Sequence, residues 1–270
     1  MKMLRTSSPA WMAATLLLSS CGGPAHDDTP VTAVSGAEGH EDEATLQGGS
    51  PTQGYRAVGL VVMESGAFCT GSLIRPNVVL TAAHCADDPV RAFYVGRGQA
   101  LDERELAESG LQEALEEMEE YRVSAQVHHA GYREDACGAT PDIALLRLRD
   151  NVRGVKPIKL AWPGTAQPGR TCVAVGYGAH GDGTDKTWAR KRTGTERVVV
   201  VYEQGVLVEA GTAVADHGDS GGPLLCGNRV AGVTSCGNTS VGMDQRFIFY
   251  ARPDVELSWI DEKLARWGLE

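Results

Sequence analysis

Apolar residues arrive in short runs from about residue 55 onward, separated by Gly, Pro and Asn. The runs are AVGLVV (57–62), NVVLTA (77–82), AFYVG (92–96), IALLRL (143–148), CVAVGYG (172–178), RVVVVY (197–202), GVLVEA (205–210), RVAGVTS (229–235) and FIFYAR (247–252). Many short β-rich runs at this spacing predict an all-β sandwich or barrel. Two segments break the pattern. In LDERELAESGLQEALEEMEEYR (101–122), Leu101, Leu111, Leu115 and Met118 fall on a roughly helical period among acids, which predicts an acidic helix or helical loop. Near the end, Pro253 and Asp254 suit a helix start, and Leu257, Ile260, Leu264 and Trp267 recur every three or four residues, which predicts a terminal helix docked on the sheets.

The first residues read as export machinery. Lys2 and Arg5 give a positive start, AWMAATLLL (10–18) is an apolar run too short to span a bilayer, and small residues precede Cys21. Residues 1–20 are therefore expected to be a removed signal peptide. Residues 21–45, rich in Gly, Pro, Ala and acids without an apolar period, are expected to be a disordered tether.

Composition narrows the partners. A net charge of −10 argues against nucleic acid, which requires clustered Lys and Arg. The one basic cluster, Arg190, Lys191 and Arg192, reads as an exposed loop that proteases could nick. The acids of 101–122 lack the alternating oxygen ligands of an EF-hand, so a cation loop is not expected there. No metal and no cofactor is expected elsewhere. With Cys21 set aside, Cys69, Cys85, Cys137, Cys172, Cys226 and Cys236 form an even set in an oxidising compartment, and six cysteines permit about 15 pairings.

Three motifs carry chemistry: LTAAHC with His84, PDIALLRL with Asp142 and GDSGGP with Ser220. Singly, each has an ordinary reading: a hydrogen-bonded core histidine, a strand-start cap, a turn serine. Together they supply a nucleophile, a base to take its proton and a carboxylate to orient the base. Gly218, Gly221 and Gly222 leave the backbone around Ser220 bare, so that the N–H groups of Gly218 and Ser220 can face a developing oxyanion.

In the order His, Asp, Ser, these motifs resemble those of the chymotrypsin-like (trypsin-like) serine proteases. CTGSLI (69–74), VGYG (175–178) and YARPDVELSWI (250–260) extend the resemblance over about 46–267. It implies two six-stranded antiparallel Greek-key β-barrels, about 55–155 and 156–252, with the active site in the cleft between them and a C-terminal helix at about 253–267. His84 would then be general base and acid, Asp142 its orienter, Ser220 the nucleophile, and Gly218 and Ser220 the oxyanion hole. Ser235 would hydrogen-bond Asp142. The likeness also implies the bridges Cys69–Cys85 and Cys172–Cys226. It leaves Cys137 and Cys236 facing each other across the subsites that precede the scissile bond, as a third bridge.

The same resemblance implies activation by cleavage before Leu46, the new ammonium pairing with Asp219. Thr45 precedes Leu46, so an activator that cuts behind Lys or Arg finds no site there. At the pocket floor the sequence has Val214, then Ala215, where trypsin-like enzymes have a carboxylate. Asp216 replaces a bracing cysteine, Gly237 keeps one wall open and Ile248 narrows the back. A shallow pocket for a small or medium aliphatic side chain follows. LSSC resembles the bacterial lipobox, implying lipid on Cys21 and a membrane-surface anchor before processing. The expected protein is thus an exported, monomeric endopeptidase acting on proteins or peptides. A zymogen-locked or inactive binding module and a small-substrate esterase are the alternatives.

Overall fold

The computed structural model describes residues 48–181, 186–237 and 246–269. In chain order, β1 (Ser50–Pro51), β2 (Val58–Met63), β3 (Phe68–Arg75), β4 (Val78–Thr81) and β5 (Val90–Val95) come first, with a 3-10 turn at His84–Ala86. Then follow β6 (Leu101–Asp102), α1 (Glu103–Ser109), α2 (Gln112–Leu115), β7 (Glu119–His128) and β8 (Ala144–Leu148). The second half carries β9 (Lys159–Leu160), β10 (Thr171–Gly176), β11 (Thr187–Trp188), β12 (Arg192–Val201) and β13 (Gly205–Ala210). It ends with β14 (Pro223–Leu225), β15 (Arg229–Gly237), β16 (Phe247–Ala251) and α3 (Leu257–Arg266).

Two closed antiparallel barrels result, one ordered β2-β3-β4-β8-β7-β5 and the other β10-β12-β13-β16-β15-β14. Their winding is the same. With each barrel's strands counted in chain order, the fourth returns to lie beside the first, which is the Greek-key arrangement. Closure removes the exposed sheet edges that would otherwise template aggregation. β1 adds to β12, so the segment ahead of the first barrel is strapped onto the second.

The continuous apolar run of β2 is buried along its whole length, because the strand lies between its own barrel's core and the second barrel. Tyr177, just past β10, reaches across this seam. Its hydroxyl donates to Gly96 O at 2.6 Å and lies 3.3 Å from Val58 O.

Three local expectations are corrected. The acidic segment is two short helices followed by a strand. Asp102 and Glu105 cap α1 reciprocally, Gly110 ends it at φ +61°, and Glu119–Arg122 belong to β7, whose outer face is solvated and so accepts acids. The terminal helix begins at Leu257 rather than at Pro253, because the Asp254 carboxylate is engaged by Arg252 (2.7 and 3.1 Å) instead of capping the helix. Ile260 and Leu264 form its buried face.

The basic triplet is no exposed loop. Lys191 is 2% exposed, with its Nζ at 3.3 Å from Gly54 O and 3.4 Å from Tyr55 O and above the Tyr177 ring. Burial pushes its ammonium down to about 8. Arg192 Nε donates to Gly49 O at 2.6 Å. Both cations fasten the N-terminal segment to the second barrel.

Candidate active site

β4 delivers His84 at its end, where the Cys69–Cys85 disulfide ties the 3-10 turn back to β3. Asp142 stands just before β8 at 3% exposure. A buried carboxylate survives only if its lone pairs are matched, and three donors converge on this one. His84 Nδ1 lies 2.8 Å from Oδ2, Ser235 Oγ donates to Oδ2 at 2.7 Å, and the His84 backbone N–H donates to Oδ1 at 3.1 Å. The carboxylate thereby selects the tautomer with the proton on Nδ1 and leaves Nε2 as an acceptor. Burial alone would lower the His84 pKa; the hydrogen bond and charge of Asp142 outweigh it and hold the pKa above 6.5.

The GDSGGP turn sits on the other barrel and is welded to the first. Thr70 N donates to Ser220 O and Thr70 Oγ1 to Gly218 O, both at 2.8 Å. Gly218 (φ +95°) and Gly221 (φ +80°) hold left-handed conformations, and a Cβ on Gly221 would overlap Thr81 and approach Ala82 N at 2.9 Å. The turn therefore lies against the end of β4, three residues before His84. Among the described residues, the N–H groups of Gly218 and Ser220 donate to no acceptor, and Ser220 is tied to barrel one through Thr70 and Gly221 rather than by a hydrogen bond to His84. Asp219 is buried, accepting from Gly178 N (2.8 Å) and Asp216 N (3.0 Å). Burial pushes its carboxyl up to about 7, against these donors and Arg192.

Val214 and Ala215 pack on the cluster that contains Ile248 and Tyr250. Gly237 pairs with Ile248 across β15 and β16, and a Cβ there would stand 3.7 Å from Ile248 Cδ1. Asp216 pairs with Lys186 (3.2 Å) and His217 (2.7 Å). Behind Ala215, wholly buried Glu196 has neither carboxylate oxygen in hydrogen-bond geometry with any described residue. Burial pushes its carboxyl up to about 8, against the pull of the nearby Tyr250 hydroxyl and Ala215 N–H. Leu46, Cys21 and residues 238–245 lie outside the described residues.

Sequence reasoning missed Thr70 and Thr81, the polar ties between barrel and turn. Thr81 Oγ1 donates to Thr70 O (2.8 Å), and Thr70 Oγ1 also accepts from Tyr177 N (3.1 Å). Their signal was a buried threonine in β3 and another at the end of β4, both in largely apolar strands. Glu196 was missed too, as an acid beside the valine run of β12. The trio Cys69, His84 and Cys85 has metal-like spacing, but its two sulfurs are bonded to each other. Further disulfides join Cys172 to Cys226 and Cys137 to Cys236. Three disulfides suit an oxidising, extracytoplasmic compartment.

The family model Trypsin matches residues 46–260. The chain is 30% identical to Melanization protease 1 of Drosophila melanogaster over 236 residues, covering 74% of this chain and 58% of that protein's length. It is 29% identical to mouse Kallikrein 1-related peptidase b21 over 220 residues, covering 74% and 81%. Among solved structures it resembles neuropsin of mouse brain (TM-score 0.63, 21% identity, 78% and 95% covered) and human heparin binding protein (TM-score 0.60, 20% identity, 80% and 95% covered), likenesses of fold. The chain belongs to the trypsin family of serine proteases.

Proposed function

We propose that the chain is an exported endopeptidase that cleaves proteins or peptides through an acyl-enzyme on Ser220. His84 Nε2 takes the Ser220 proton as Oγ bonds to the scissile carbonyl carbon, and the N–H groups of Gly218 and Ser220 hold the resulting oxyanion. Collapse breaks the C–N bond as His84 returns the proton to the leaving amine. Water then repeats the sequence, its proton passing through His84, and releases the acid. The observation that carries this reading is the buried Asp142 carboxylate with His84 Nδ1 at 2.8 Å and Ser235 Oγ at 2.7 Å. Each oxyanion donor stabilises the transition state by about 3 kcal/mol.

Val214 as floor and Ile248 as back wall favour a small or medium aliphatic P1 side chain, the one just before the scissile bond. A peptide-library cleavage profile tests this: Ala, Val or Leu is expected at P1, and a dominant Arg or Lys would overturn it. Release at Leu46 is proposed to supply the ammonium for Asp219 and to part the chain from lipid on Cys21, leaving a diffusing monomer. The relatives named above are animal proteins, and the lipid reading rests on residues 1–21. Active protein whose N-terminal sequence starts at Cys21 would overturn the release. A zymogen-locked binding module is the alternative reading; in the described residues the Asp219 carboxylate accepts from the Gly178 and Asp216 N–H groups. Labelling of Ser220 by a fluorophosphonate in the cut chain separates the two.

A further inference from the structure

The three disulfides fall into two classes. Cys69–Cys85 and Cys172–Cys226 each stay within one barrel, and their four half-cystines are at most 4% exposed. Cys137–Cys236 is different in kind. It crosses from the loop between β7 and β8 to β15, tying barrel one to barrel two over a separation of 99 residues, and both its residues are only half-buried. Both also line a cleft of about 210 Å³, through which a small reagent reaches the sulfurs.

The bridge braces a hydrogen bond that the proposed chemistry uses. Ser235, which donates to Asp142 at 2.7 Å, directly precedes Cys236 and has its Oγ 3.7 Å from that sulfur. Thr234 pairs with Tyr250 and Cys236 with Phe249, so Ser235 is the extra residue of a β-bulge and the β15–β16 ladder does not hold it. Asp142 lies on the same loop as Cys137, five residues further on. Each partner of the Ser235–Asp142 bond is thus close in the chain to one half of the bridge. Packing also presses the loop onto barrel two: Gly138 sits at φ +71° under the Phe249 ring, and a Cβ on Gly205 would come within 2.7 Å of Gly138 O.

We propose that Cys137–Cys236 is a redox modification site: a dithiol opens it selectively, and opening loosens Ser235 and Asp142 and lowers peptidase activity reversibly. One thiolate of the dithiol bonds to a half-cystine sulfur, the Sγ–Sγ bond breaks, and the electron pair leaves on the other sulfur, which takes a proton. The second thiolate of the dithiol then attacks the mixed disulfide and frees the first half-cystine, which is protonated in turn. The protein gains two electrons and two protons, and the dithiol ends as its own disulfide. Exposed bridges are the labile ones, and buried bridges resist reduction. Because packing keeps the opened loop on barrel two, a monothiol adduct recloses, whereas a dithiol completes the reaction. The effect on activity rests on the protease reading given above.

The test exposes the folded chain, cut before Leu46, to increasing dithiothreitol without denaturant. Free thiols are alkylated and located by peptide mass spectrometry, and kcat/KM is measured on the same samples. Cys137 and Cys236 are expected to be alkylated while the other four cysteines stay protected. In step, kcat/KM should fall by about tenfold or more, carried by kcat because the loosened contact acts through His84. Oxidised glutathione is expected to restore both the bridge and the activity. Cys137→Ala/Cys236→Ala should match the reduced enzyme and ignore dithiothreitol; if that variant does not fold, the reversal by oxidised glutathione decides. Earlier opening of another bridge, a Cys137–Cys236 bridge that stays closed until the protein unfolds, or full activity with both thiols free overturns the proposal. A cut chain that leaves Ser220 unlabelled by a fluorophosphonate and cleaves no peptide before any dithiothreitol is added overturns the protease reading, and this inference with it.

Discussion

Asp142 sits at 3% exposure with three hydrogen-bond donors, and that arrangement fixes both the tautomer and the basicity of His84. Since catalysis needs the neutral imidazole, kcat/KM is expected to rise with pH through a midpoint above 6.5. Asp142→Asn should lower kcat/KM by about 10⁴ and move the midpoint down, checked by pH–rate profiles; an unshifted profile would contradict the role. Glu196 makes the opposite case, a carboxyl whose complete burial outweighs the nearby Tyr250 hydroxyl and Ala215 N–H. It ionises near 4.5 when unfolded and near 8 when folded, so between those values the folded state keeps a proton that the unfolded state has released. Stability therefore falls as pH rises through that window. Asp219 in the uncut chain adds a slope of the same sign, so the informative quantity is the difference between parent and variant. Glu196→Gln should be more stable than the parent at pH 8 by about 1–3 kcal/mol and nearly equal at pH 5, read from urea unfolding. Parallel pH curves for the two proteins would contradict this.

At the scale of elements, the turn that carries Ser220 is held by a strand of the other barrel. Thr70 serves Ser220 O, Gly218 O and Tyr177 N at once. Thr70→Val keeps the shape but leaves a buried acceptor and a buried donor unmatched. It should cost about 1–3 kcal/mol of stability and lower kcat more than it raises KM, as steady-state kinetics and thermal unfolding would show. A variant with native kcat would mean that the turn is held elsewhere. The strands themselves were legible because alternating or continuous apolar runs between Gly and Pro breaks are how barrel strands must read. The acidic segment was less so: Leu101, Leu111, Leu115 and Met118 share a helical spacing, yet Gly110 breaks the helix and the acids of β7 face water along a strand. Lys191 was misread for a related reason. A cation in a basic triplet looks solvated, and nothing local shows that two carbonyls and a tyrosine ring of distant segments enclose it.

Over the whole molecule, two barrels with one winding bring Asp142 from the first against Ser235 from the second and tie the Ser220 turn of the second to Thr70 of the first. The three motifs made His84, Asp142 and Ser220 legible as candidates, and the family resemblance added Ser235. The pocket was less legible: Glu196 lies on a strand remote in sequence from Val214, and 238–245 is outside the described residues. The measurement that bears most directly on the proposed chemistry is the rate at which a fluorophosphonate labels the chain cut before Leu46, with the modified residue located by peptide mass spectrometry. Rapid labelling confined to Ser220, lost in Ser220→Ala and slowed by about 10³-fold or more in His84→Ala, is the expected result. Absent labelling, or labelling that His84→Ala leaves at the native rate, would contradict the assignment of Ser220 and His84 as nucleophile and base.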